Sequence, residues 1–324
     1  MNVAVIGVGN MGQHHARNYS EIPGVNLVAV ADVEPKVGQP IAKRFKCKYY
    51  QDYKELLANE KLDLVTIAVP TKYHKKVALD CIDKGIHILL EKPIAGTVAE
   101  AKEVVAKAKA KGVKFTVGHI ERFNPAVLKL KDMVEKGKLG EITSIVIRRL
   151  GPMPNQIKDA NVVIDIGVHD IDLMNWFYGK LPSSITAAGS SALNKNQQDN
   201  VMVFLKYGEA AGLAHANWIT PVKFRRLAIS GTKAYAELNF ITQELDLYES
   251  NYTSETNDFG EFVIKFGEPQ DKKTIKSEGI EPLKAEIKSF IKAIKENSRP
   301  MVTAREAIDA LDIACKVDRM IRKS

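Results

Sequence analysis

A chain of 324 residues, 45% hydrophobic and 27% charged, is long enough for about two domains and has the balance of a globular protein. No apolar run approaches the roughly 20 residues that a membrane helix needs, and the start Met1-Asn-Val-Ala-Val-Ile-Gly7 has neither a basic segment nor an apolar signal core. A cytoplasmic protein without a membrane partner is therefore expected. The net charge of +8 is spread over many amphipathic segments, which predicts a solvated surface and no nucleic-acid partner. Cys47, Cys81 and Cys315 are scattered and odd in number, giving neither a disulfide framework nor a metal-ligand spacing.

The first 120 residues alternate short apolar runs with helical periodicity. Strands are expected at 2–7, 26–31, 63–69, 86–90 and 114–118, and helices near 11–20, 36–45, 72–84 and 97–111. This alternation predicts a Rossmann-type α/β half, a doubly wound parallel sheet, because parallel neighbours need crossover helices. Residues 124–136 read as a linking helix. From Glu141 onward the runs lengthen and alternate, predicting strands at 142–149, 184–190, 201–207, 210–217, 225–230, 234–239 and 245–248. Hairpin turns are expected at Tyr207-Gly-Glu209 and Ser230-Gly-Thr232, and helices at 166–178, 282–296 and 303–322. The second half thus reads as an α+β domain with a large, mostly antiparallel open sheet. The domains are placed at 1–121 and 122–324, with the C-terminal helices available to pack back on the first. An open sheet with one face uncovered predicts a homodimer or homotetramer assembled through it.

Several stretches carry chemistry. Gly7-Val-Gly9-Asn10-Met11-Gly12 puts Gly-x-Gly-x-x-Gly where a strand passes into a helix, the place for a tight turn, a close approach to pyrophosphate and close helix–strand packing. Asp32 ends the next strand 20 positions later, where a carboxylate accepts from adenosine ribose hydroxyls and repels a 2′-phosphate, predicting NAD over NADP. Ligands bind beyond the carboxyl ends of such strands, so Val69, Pro70, Thr71 and His74 are expected in the cofactor crevice, His74 equally fitting a plain first-turn position. Glu91-Lys92-Pro93 follows the strand His87–Leu90 at the same edge. A lysine there can donate to a reacting oxygen and stabilise its developing charge.

Asp165, His169 and Asp172, spaced four and three apart near a helix start, can share one face. Histidine suits proton abstraction near neutral pH, and a carboxylate neighbour sets its tautomer. Asp172 and Trp176 are read as holding the helix. Zinc at these residues lacks a supporting ligand cluster, so no metal is expected.

Together these motifs resemble the glucose–fructose oxidoreductase, inositol dehydrogenase and rhizopine-catabolism (Gfo/Idh/MocA) family over nearly the whole chain. The resemblance implies NAD as cofactor, His169 as general base, Asp165 as its partner and Lys92 as the cation orienting the substrate hydroxyl. Gly118-His-Ile-Glu-Arg122-Phe-Asn124-Pro is similar to members acting on UDP-N-acetylglucosamine or its uronic acid at the sugar 3-hydroxyl, implying substrate roles for Arg122 and Asn124. An alternative for Arg122 is a salt bridge with Glu121 or another local acid. Arg148 and Arg149 precede a Pro-rich turn ending at Asn155, and strand alternation lets at most one reach an anionic substrate. A polyol or free-sugar dehydrogenase and a nonenzymatic NAD-binding regulator are the alternative functions.

Overall fold

The computed structural model describes residues 1–153, 161–193, 197–249, 272–276 and 279–322. Its described residues form two compact units. The first comprises Met1–Phe123 and Glu281–Cys315, so the chain returns to its N-terminal unit after building the second. The boundary lies two residues beyond the expected one.

In the first unit, β1 (Asn2–Ile6), β2 (Asn26–Ala31), β3 (Lys48–Tyr50), β4 (Leu64–Ile67), β5 (His87–Leu90) and β6 (Phe115–Val117) form one parallel sheet in the order 3-2-1-4-5-6. The order reverses between β1 and β4, which opens a crevice at their carboxyl ends. Helices α1 (Gly12–Glu21), α2 (Pro35–Phe45), α3 (Tyr53–Asn59), α4 (His74–Asp83) and α5 (Val98–Ala110) connect the strands. Strand alternation feeds two cores: Val3 and Val5 pack with Ala16 and Tyr19 of α1, while Ala4 and Ile6 pack with Val77 and Ala78 of α4. The later helix α8 (Pro282–Lys295) adds Leu283, Ile287 and Phe290 to the α1 side. Each such fully buried side chain contributes about 1.5–3 kcal/mol. Glu281 accepts from Arg17 and Asn18, and Lys284 pairs with Glu21, which fixes where α8 meets α1.

The second unit is built on an eight-stranded sheet of order 14-13-12-11-7-10-9-8. Its strands are β7 (Ile142–Pro152), β8 (Ser184–Ser190), β9 (Asn200–Tyr207), β10 (Ala210–Asn217), β11 (Ile219–Gly231), β12 (Ala234–Asn239), β13 (Glu244–Glu249) and β14 (Lys272–Lys276). All neighbours pair antiparallel except β7 and β10. Helix α6 (Pro125–Glu135) and helix α7 (Val168–Tyr178) belong to this unit, α7 packing on β7 and β10. Gly212 permits that approach, since a Cβ there would stand 2.6 Å from Met174 Sδ. The last helix is α9 (Ala304–Ile321).

Three short elements carried no sequence expectation. β3 and α3 sit at the sheet edge, where Lys48-Tyr-Tyr is too short to show a period. β14 reads Lys-Lys-Thr-Ile-Lys, a charged edge strand without apolar alternation. Strand β11 begins six residues before the expected 225, through a register shift between Ile219 and Phe224 around Pro221. The Pro-rich turn expected to end at Asn155 lies partly outside the described residues.

Candidate active site

The β1–α1 turn is shaped by backbone demands. Gly7 adopts φ +83°, and a Cβ on Gly12 would stand 1.8 Å from the Gly7 carbonyl oxygen, so neither position accepts a side chain. Nothing lies within 4 Å of the point where a Gly9 Cβ would sit, leaving that face of the turn open. No side chain caps α1, and its first turn carries no acidic residue. Its leading N–H groups and positive dipole end therefore suit a pyrophosphate. Asn10 is exposed and Met11 half-buried beside this opening. Asp32 accepts from the N–H of Val8 (2.9 Å) and of Glu34 (3.0 Å), while Tyr49 donates to its carbonyl. One carboxylate thus fastens both loops that would flank an adenosine ribose. These features fit a dinucleotide: Gly7, Gly9 and Gly12 would admit its phosphates and Asp32 its ribose.

Val69, Pro70 and Thr71 lie half-buried or exposed at the carboxyl edge. His74 does not line the crevice as expected. It is only 1% exposed, with Nε2 2.8 Å from the Val69 carbonyl and Nδ1 2.8 Å from the Pro93 carbonyl. It ties the loop after β4 to the loop after β5. Glu91 also turns inward instead of toward a cofactor: its Oε1 accepts from His15 Nε2 at 2.7 Å and its Oε2 from the Lys92 N–H at 3.2 Å. Burial pushes the Glu91 carboxyl up, but the hydrogen bond and attraction of His15, with help from Lys92, leave it below its ordinary value. Gly118 makes room for it, because a Cβ there would lie 3.1 Å from Glu91 Oε2. Pro93 is buried, the Lys92–Pro93 peptide is cis, and Lys92 stays half-exposed at the edge. A capping box between Thr97 and Glu100 starts α5 just beyond this turn.

In the second unit a π-helical turn, Val163–Gly167, leads directly into α7 and places the start of helical structure before the expected 166. Such widened turns recur at functional sites. Asp165 within it and His169 in the first turn of α7 are both half-exposed, whereas Val163, Ile166, Gly167, Val168 and Asp170 are buried. Asp170, given no role from the sequence, is hydrogen-bonded to Arg149 Nε, and the Arg149 guanidinium lies 4.2 Å from the Phe240 ring centroid. This buried pair pins α7 to β7. Asp172 is buried, and the Trp176 carbonyl accepts from Lys131 Nζ at 2.9 Å, joining α7 to α6. The Trp176 contact supports the helix.

The structure corrects two substrate expectations. Arg122, 1% exposed, donates through Nη1 to Glu306 (3.1 Å) and to the Met301 carbonyl, so a salt bridge to an acid distant in sequence holds it in place of the expected substrate clamp. Asn124 caps α6 by accepting from Ala126 N–H and donates to the Phe240 carbonyl. Arg148 lies exposed over Phe224 on the sheet face opposite Arg149. The signal for Arg122 was available in Glu306, but a separation of 184 residues hides such a pair from sequence reading.

Comparison with known proteins agrees with this division. Residues 1–119 match the oxidoreductase family model described as an NAD-binding Rossmann fold, and residues 127–237 match the GFO/IDH/MocA C-terminal domain. The chain is 30% identical to UDP-N-acetylglucosamine 3-dehydrogenase of Acidithiobacillus ferrooxidans over 76% of its own length and 77% of that protein's. It is 32% identical to inositol 2-dehydrogenase of Rubrobacter xylanophilus, over 54% of this chain and 51% of the relative. The solved A. ferrooxidans enzyme superposes with a TM-score of 0.87 at 24% identity, covering 100% of this chain and 98% of that one. A levoglucosan dehydrogenase solved with NADH and levoglucosan shares the fold with a TM-score of 0.86 at 23% identity, covering 100% and 97%. The chain belongs to the Gfo/Idh/MocA oxidoreductase family and is an NAD-dependent dehydrogenase of the sugar and polyol class.

Proposed function

We propose that this dehydrogenase oxidises the 3-hydroxyl of UDP-N-acetylglucosamine, or of its uronic acid, to the 3-keto sugar, as a step in making glycan precursors in the cytoplasm. The observation that carries the reading is the relative of that name, matched over about three quarters of both chains. The cofactor, when bound, supplies hydride acceptance. In the proposed chemistry His169 takes the hydroxyl proton, Asp165 partners it, and Lys92 donates to the substrate oxygen as charge develops. Half-exposure of all three side chains supports these roles, since a group that touches substrate must be reachable. None of Arg122, Arg148 and Arg149 supports diphosphate recognition: Arg122 and Arg149 are buried in ion pairs, and Arg148 lies on the sheet face away from α7.

The inositol dehydrogenase match favours a polyol as the second reading. NADH formation from NAD with UDP-N-acetylglucosamine, its uronic acid and myo-inositol, each with a keto-sugar trap, separates them. Turnover with a UDP-sugar alone supports the proposal. Turnover with inositol alone moves the protein to the polyol branch, and silence with all three revives a nonenzymatic NAD-binding role.

Assembly through the second unit's open sheet belongs to the same proposal. Met202 and Phe204 on β9 and Leu213 on the neighbouring β10 stand exposed on one face of the sheet, an apolar patch that suits a second copy. A monomer at micromolar concentration in analytical ultracentrifugation would remove this part.

A further inference from the structure

Behind the Glu91–Lys92 turn lies a nest of buried polar groups that the proposed chemistry does not use. Glu286, on α8, is 1% exposed, and neither of its carboxyl oxygens has a hydrogen-bond partner. It lies within electrostatic reach of Glu91 and of Tyr19, whose hydroxyl is bonded to Thr66. His15 Nδ1 and Asn18 Oδ1, both on α1, are likewise buried and unpartnered. With His15 Nε2 engaged by Glu91, its Nδ1 is left without a partner, and Asn18 Oδ1 is an acceptor without a donor. An ionised Glu286 would add, beside the already charged Glu91, a negative charge with no partner of its own, which burial disfavours. A protonated Glu286 adds instead a neutral group and leaves Glu91 the one charged carboxylate of the pair.

We propose that Glu286 is a proton-bearing positioning residue, whose neutral carboxyl keeps Glu91 the sole charged carboxylate behind the Lys92 backbone and so holds the lysine in place. The Lys92 role is that of the reading above, and the charge state of the nest is independent of it. The titratable and charged groups on the elements packed against α8 are His14, His15, Arg17, Tyr19 and Glu21 on α1 and Glu121 and Arg122 on the Ile120–Phe123 turn, with Glu91 after β5 in electrostatic reach. Arg122 is engaged by Glu306, and Arg17, also on α1, by Glu281. Burial first, and Glu91 second, push the Glu286 carboxyl well above its ordinary value. A carboxyl raised on folding contributes stability that is complete below its unfolded value and is lost as pH rises through its folded value.

The test compares wild type with Glu286→Gln, which keeps shape and neutrality but cannot ionise. Glu286→Met serves as a second non-ionising variant should the amide perturb folding. Thermal unfolding from about pH 5 to about pH 9 needs no substrate: the variant's melting temperature gains on wild type as pH rises. A protonated-carboxyl C=O band in the wild-type infrared spectrum at neutral pH disappears in the variant. With a substrate that turns over, the alkaline limb of kcat moves to higher pH while KM for NAD stays constant. A melting-temperature difference that is flat with pH, or no lost carboxyl band, overturns the proton-bearing role. An unmoved alkaline limb overturns the positioning role even where the first two hold.

Discussion

The two units carry their functional residues in different ways. In the first unit the nucleotide site is a matter of backbone: Gly7, Gly9 and Gly12 leave space, α1 leaves N–H groups, and Asp32 closes the loop. In the second unit the proposed site depends on two half-exposed side chains, Asp165 on the π-helical turn and His169 on the helix that follows it, which the buried Arg149–Asp170 pair anchors. A backbone site tolerates little and is shared by many dehydrogenases. A side-chain site on an anchored helix can be varied one residue at a time, and substrate choice is expected to reside there.

The comparison breaks most readily at the chemistry. His169→Ala and Lys92→Ala are each expected to lower kcat by roughly 100- to 10,000-fold, with NAD binding retained in a fluorescence titration. Near-wild-type turnover in both would remove the proposed mechanism. Gly12→Ala forces a Cβ against the Gly7 carbonyl and should cost about 3 kcal/mol in denaturant unfolding, with loss of NAD binding. An intact Gly12→Ala protein would mean that the turn is less constrained than its geometry.

Arg122→Ala sharpens the boundary between site and scaffold. It strips Glu306 of its buried partner and should cost about 2 kcal/mol of stability, while KM for the sugar changes less than about twofold. A large rise in KM without a stability loss would restore the substrate clamp. Asp32→Ala should shift the NAD-over-NADP preference by about tenfold, read as the ratio of kcat/KM values, and loosen the two loops it fastens.

The smallest effect concerns acid. Glu91 is held below its ordinary value, so the stability it contributes is present above the unfolded carboxyl value of about 4.3 and is lost as pH falls through the lower folded value. Wild type should therefore lose its melting-temperature advantage over Glu91→Gln only in that acid window.

The strand–helix alternation of the first 120 residues, the glycine turn and the sheet's edge residues were legible because each rests on local periodicity or on a local backbone demand. The roles of His74, Glu91, Arg122 and Asn124 were not. His74 meets carbonyls at Val69 and Pro93, Glu91 meets His15 76 residues away, and Arg122 meets Glu306 across 184. Polar side chains near a motif attract functional readings, and only tertiary contacts reveal which of them are structural. Spacing marks Asp165 and His169 as candidates, but the π-helical turn that carries Asp165 has no sequence signature of its own.

The most direct measurement of the central claim is a single-turnover reaction with NAD and UDP-N-acetylglucosamine deuterated at C3, followed by mass analysis of the NADH formed. The account predicts that the deuterium appears in NADH with wild type and that transfer falls by at least about 100-fold in His169→Ala. Unlabelled NADH would place the oxidation at another carbon, and equal transfer by both proteins would contradict the role of His169.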